Sequence, residues 1–158
     1  MRDCFPSVNR ALCNVGGAQM NTNYGDALIL LARLLLAALF VVFGWRKLRD
    51  EPGTVAQMRQ LGVITPVLAA AVSTFMELPV ALAVAVGLFG RPAALLMAFY
   101  TLGTALIGHR YWRAAAAERV ESMDGFYKDL SIVGGFLLLW LSGPGSYSID
   151  MLRGIPVR

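Results

Sequence analysis

Hydrophobic positions along the chain gather into four long runs, at residues 27–45, 66–89, 92–111 and 126–141, with short polar stretches between them. The first, ALILLARLLLAALFVVFGW, is broken only by Arg33, and the second carries Glu77 as its only charge. From 92 to 108 there is no Asp, Glu, Lys, Arg or His at all. The last run has Lys128 and Asp129 in its first turn and the shortest uninterrupted apolar part. A hydrocarbon core about 30 Å thick is crossed by roughly 17–25 helical residues, and these runs meet or approach that length. A soluble amphipathic helix would show a polar face every turn or so. Lipid offers no water to free backbone groups, and the alternation of a barrel strand is missing, so helices are expected. The pattern predicts an all-α integral membrane protein, a four-helix bundle with spans at 27–45, 66–89, 92–111 and 126–141.

The connections fit that plan. Residues 46–65, RKLRDEPGTVAQMRQLGVIT, are polar and contain Pro52-Gly53, a turn signal, followed by a stretch suited to a short interfacial helix. Gly90-Arg91 reads as a tight link, 113–125 as a polar and partly helical loop, and SGPGSY at 142–147 as a Gly/Pro loop. Residues 1–25 read as a disordered tail or an extension of the reading frame, because an internal Met20 followed by NTNYGD and the first span resembles a natural start. The expected domain is therefore 26–150, with a short tail at 151–158.

Composition agrees: 57% of the 158 residues are hydrophobic and 15% charged, and the mean hydropathy is +0.60. With four spans both termini share one side, which carries Arg2, Arg10, Arg91, Arg153 and Arg158. The other side carries Arg46, Lys47, Arg49, Arg59, Arg110, Arg113, Arg119 and Lys128, a balance of eight to five. The positive-inside rule then puts the basic loops in the cytoplasm and both termini outside. A net charge of +4 calls for anionic lipid beside these loops rather than nucleic acid. The only cysteines, Cys4 and Cys13, lie in the N-terminal stretch without CxxC spacing, and there is one histidine. Zinc, haem and thiol chemistry, and any metal site, are therefore not expected within the chain.

The candidate chemistry centres on Glu77. It is the twelfth of the residues from 66 to 89, about 16 Å into the span by helical rise and so near the midplane. A carboxylate there is paired, protonated or functional. Pro79 removes the partner of the Phe75 carbonyl and is expected to kink the helix beside the acid. Arg33, about 9 Å in from the terminal side, is the expected partner, with snorkelling to the interface as its other reading. Lys47, His109, Lys128 and Asp129 fall at similar depth on the basic side. An Asp129–His109 hydrogen bond with Glu77 deeper would make a short proton path. Each of these also reads as an interfacial anchor or a partner of a helix dipole. Ser131 and Gly135, Thr104 and Gly108, and Ala83 and Gly87 have the small-xxx-small spacing of close helix contact.

Taken in order, Arg33, Phe43-Gly44 with Lys47-Leu48, Glu77, Gly87-Leu88 with GRPAA at 90–94, His109, FYKDLSIVGG at 126–135 and the closing GPGSYSID resemble the DoxX family. The resemblance implies a bacterial inner-membrane protein of four helices. It further implies a link to quinone-dependent oxidoreductases, with polar positions at Arg33, Lys47, Glu77, His109 and Asp129. It brings no redox cofactor site of its own; quinone is the cofactor it points to, and oxidoreductase subunits or further copies of the chain are the partners. Three readings stay open: a membrane subunit or partner of a quinone-linked redox system, with Glu77 and His109 handling protons; a small proton-coupled transporter; and a structural or assembly protein without catalysis.

Overall fold

The computed structural model describes residues 22–154, so the expectations about Cys4, Cys13, the start at Met20 and the last residues lie outside it. Among the described residues there are six helices and no strand: α1 Thr22–Arg49, α2 Glu51–Gln60, α3 Pro66–Val86, α4 Gly90–Gly108, α5 Arg119–Ser142 and α6 Ile149–Leu152. Their ends follow local chemistry. Arg46, Lys47 and Arg49 close α1, where cations complement the helix dipole. Asp50 caps α2 by accepting from the Gly53 amide at 3.1 Å, and Pro66 opens α3, where its missing N–H costs nothing. Pro79 does not break α3; the helix widens into a π turn over Met76–Val80 that absorbs the lost bond. It ends at Gly87, whose φ of 70° is the left-handed C-cap conformation glycine adopts freely. The turn to α4 is thus residues 87–89, and Gly90 and Arg91 already belong to the next helix.

The expected four-helix membrane bundle is corrected here. Three helices, Tyr24–Arg49, Pro66–Val86 and Gly90–Gly108, are long and apolar enough to cross a membrane. The fourth long helix, α5, is not, because Arg119, Glu121, Asp124, Lys128 and Asp129 occupy its first half. It runs antiparallel beside α4: Asp129 lies near His109 at one end, and Arg91 reaches the Leu141 carbonyl at 3.5 Å at the other.

The core lies between α1, α3, α4 and α5, and is built from Phe40, Met76, Val84, Met97, Val133 and Phe136 with alanines between them. The Phe40 ring packs on Phe136 at 5.6 Å and edge-on to Tyr100 at 6.4 Å. Burying each large apolar side chain contributes about 1.5–3 kcal/mol. Outward-facing Leu35, Phe75, Leu82, Phe99 and Leu138 are exposed, the surface a lipid-embedded protein presents. At the basic end Tyr111, Trp112 and Phe126 cluster edge to face, as aromatics do at a membrane–water interface. Of the small-xxx-small positions, Gly135 packs on Leu36, with closest approach 3.3 Å for a notional Cβ, whereas Gly108 faces open space.

Candidate functional site

Glu77 sits in the π turn of α3 with its side chain 7% exposed. Its Oε1 accepts from Lys47 Nζ at 2.5 Å and from the Tyr100 hydroxyl at 2.6 Å; its Oε2 is buried without a partner among the described residues. Three helices meet there because Gly44 permits it. A Cβ at Gly44 would stand 2.8 Å from Leu78 Cγ and 2.9 Å from the Glu77 backbone, so only glycine lets α1 lie this close to α3. Lys47, three residues on, falls on the same face of α1 and is carried to the carboxylate. The Glu77–Lys47 pair is lopsided: the Lys47 side chain is 21% exposed, so the acid is shut in while its cation reaches outward.

Two hollows meet at Lys47. An open groove of about 760 Å³ between α1, α2 and α3 is lined by Trp45, Ala71, Thr74, Leu78 and Leu82, with Lys47 among its few polar groups. A polar vestibule of about 520 Å³ on the basic side is lined by Arg46, Asp50, Gln57 and His109, again with Lys47 and Thr54. Tyr100 borders a third, apolar cleft of about 290 Å³ between α3 and α4. The Lys47–Glu77–Tyr100 chain therefore links hollows on both sides of α3.

Arg33 is not the partner of Glu77. It is 1% exposed and points away, towards the segment after α5, donating Nη1–H to the Pro144 carbonyl and Nη2–H to that of Tyr147 at 2.6 Å. Asp150 in the same segment accepts from the backbone amides of Phe89 at 2.9 Å and Gly90 at 2.7 Å, capping α4 from outside, and its own amide donates to the Gly87 carbonyl. Ser146 donates to Asp26. Arg33 thus fastens a strap, residues 143–152, across the end opposite the basic loops.

The basic-end pair is looser than its sequence spacing suggested. His109 Nε2 and Asp129 Oδ2 are 3.7 Å apart, beyond hydrogen-bond range, and His109 rests on the flat face of Gly125. Burial holds the Asp129 carboxyl above the ordinary carboxylate range, against the opposing pull of His109 and Lys128. Lys128 itself is exposed. The structure thus brings Lys47 to Glu77, sets His109 beside Asp129 and leaves Arg33 apart.

The DoxX family model matches residues 28–110. This chain belongs to the DoxX family. It is 45% identical over 123 residues to "Inner membrane protein YphA" of Escherichia coli (strain K12), covering 78% of this chain and 88% of that protein. It is 40% identical over 127 residues to "Inner membrane protein YqjF" of the same organism, covering 80% and 92%. No solved structure matches it at a significant level. Arg33, Gly44, Lys47, Glu77, Tyr100 and His109 all lie within the matched DoxX region; Asp129 and Asp150 follow it.

Sequence reasoning missed Tyr100, Gly44 and Asp150. Tyr100 carries no charge at neutral pH and stands in an apolar run, so a search for ionisable breaks passes over it; a phenol within residues 92–108, which hold no Asp, Glu, Lys, Arg or His, was the available signal. Asp150, nine residues beyond the last apolar run and followed by a short tail, reads as solvent-facing until the strap folds it back.

Proposed function

We propose that this multi-pass membrane protein sits in the bacterial inner membrane as a subunit or partner of a quinone-linked oxidoreductase system, with Lys47, Glu77 and Tyr100 as its working centre. The observation that carries this reading is the buried carboxylate placed behind an apolar, side-open groove that has one ammonium group at its polar end. The groove fits an isoprenoid quinone in kind: its apolar walls suit the tail, and Lys47 offers a donor to a ring carbonyl. A bound quinone supplies two-electron chemistry coupled to two protons. In this centre Lys47 holds and orients, Glu77 carries a proton, and Tyr100 keeps the carboxylate in place. His109, on the wall of the vestibule, supplies protons from the basic side.

The basic end faces the cytoplasm in this reading, following the Lys and Arg bias of its loops. The start of α1 and the strap, joined by the Ser146–Asp26 contact, lie together at the opposite end of the fold. The inner-membrane names of the two relatives support the inner membrane as the location.

The reading is tested by mass spectrometry on protein extracted gently with its native lipid. Quinone at about one per chain, or a stoichiometric oxidoreductase subunit, is expected in the wild type and lost in Glu77→Gln material that stays folded. Neither quinone nor such a subunit in wild-type material would overturn it.

A further inference from the structure

The vestibule at the basic end has a chemistry of its own that neither the groove nor Glu77 requires. Its wall combines the guanidinium of Arg46, the ammonium of Lys47, the imidazole of His109 and the amide of Gln57 with one acid, Asp50, and the hydroxyl of Thr54. Part of this donor capacity is free, although His109 also faces Asp129 at 3.7 Å. Arg46 forms no ion pair among the described residues and lies over the Phe43 ring at 5.9 Å, which steadies it. Lys47 spends one of its three N–H bonds on Glu77, leaving two. Thr54 donates to the Asp50 carbonyl at 2.8 Å. Asp50, the only carboxylate on the wall, already accepts from the Gly53 amide as the cap of α2, and so is partly neutralised by that helix's own N-terminus. A hollow of about 520 Å³ rich in donors and poor in acceptors favours a ligand that only accepts.

We infer that the vestibule binds a phosphate-type oxyanion, held by Arg46, Lys47, Gln57 and His109 at the basic membrane surface. Arg46 supplies the planar fork that matches phosphate oxygens, and Lys47, the next residue on α1, a point charge. A lipid phosphodiester headgroup and a free phosphate ester share this chemistry, and the hollow is larger than phosphate alone needs. Occupancy engages the same ammonium that pairs with Glu77, so the site adjoins the proposed redox centre without depending on it.

The test is the melting temperature of the full chain in neutral detergent. Sodium phosphate is compared with sodium chloride at matched ionic strength, and added phosphatidylglycerol with added phosphatidylcholine. A saturating oxyanion should raise it by about 3–6 °C. Arg46→Gln and His109→Gln should each weaken the effect about tenfold; both side chains are at least partly exposed, so the variants should fold. Arg113→Gln, on the same side but outside the hollow, should leave it unchanged. A shift with phosphatidylglycerol alone makes the ligand a headgroup, and one with inorganic phosphate as well makes it a free phosphate ester. No shift beyond the chloride and phosphatidylcholine controls, or equal loss in Arg113→Gln, overturns the site.

Discussion

Replacing Arg33 by Met should destabilise this protein far more than replacing Glu77 by Gln, although Glu77 looks like the costlier buried charge. Arg33 is 1% exposed, and its guanidinium donates to the carbonyls of Pro144 and Tyr147. Methionine fills part of the volume but leaves both carbonyls without a donor, each costing about 1–3 kcal/mol, and removes the cation whose charge faces Asp150. Relief from burying a guanidinium offsets part of this, for a net loss of about 3 kcal/mol. In Glu77→Gln the amide oxygen still accepts from Lys47 and Tyr100. The ammonium it leaves unpaired is 21% exposed and can turn into the vestibule, so the cost is about 1 kcal/mol. At roughly 2–4 °C per kcal/mol for a chain of this size, thermal unfolding in detergent should show a drop of about 6–12 °C for Arg33→Met and about 2–4 °C for Glu77→Gln. The two changes share no partner and should add. A larger loss for Glu77→Gln, or rescue of Glu77→Gln by Arg33→Met, would mean that the two side chains pair after all and that the strap does not depend on Arg33.

Tyr100→Phe removes one of the two donors to Glu77 and should cost about 1–2 kcal/mol, read as a modest drop in melting temperature with the fold intact by circular dichroism. Asp150→Ala strips the outside cap from the first amides of α4 and should cost about 1–3 kcal/mol, with protease cleavage within 143–152 appearing first. Gly44→Leu places atoms where Leu78 and the Glu77 backbone already stand, so α1 must leave α3; the variant should lose the Lys47–Glu77 contact and more than about 3 kcal/mol of stability. Phe136→Ala, emptying the contact with Phe40 at the centre of the core, should cost about 3–5 kcal/mol.

Much of this arrangement could be read from the chain, and the rest failed for physical reasons. Apolar runs uninterrupted over helical lengths mark α1, α3 and α4, since nothing but lipid or a large core accommodates them. The fourth run was overcounted because its apolar half was weighed apart from the charged half that belongs to the same helix, Arg119–Ser142. Glu77 announced itself as a lone acid, but its partner could not be read from depth alone. Arg33 and Lys47 lie on the same helix fourteen residues apart, and which of them meets α3 depends on where Gly44 lets the helices touch. The reach of the Pro144–Tyr147 carbonyls to Arg33 depends on a Gly/Pro loop folding back, which no periodicity encodes. Helical rise puts His109 and Asp129 at one level, but it does not resolve 3.7 Å from a hydrogen bond.

The claim on which the functional account turns is that Glu77 takes up and releases a proton beside a bound quinone. Infrared difference spectroscopy tests it most directly, on protein reconstituted with a short-chain quinone and cycled electrochemically between oxidised and reduced states. The account requires a carboxyl C=O band that appears or shifts on reduction in the wild type and is missing in Glu77→Gln. Identical difference spectra for the two proteins would contradict it and leave the carboxylate as a structural partner of Lys47 and Tyr100.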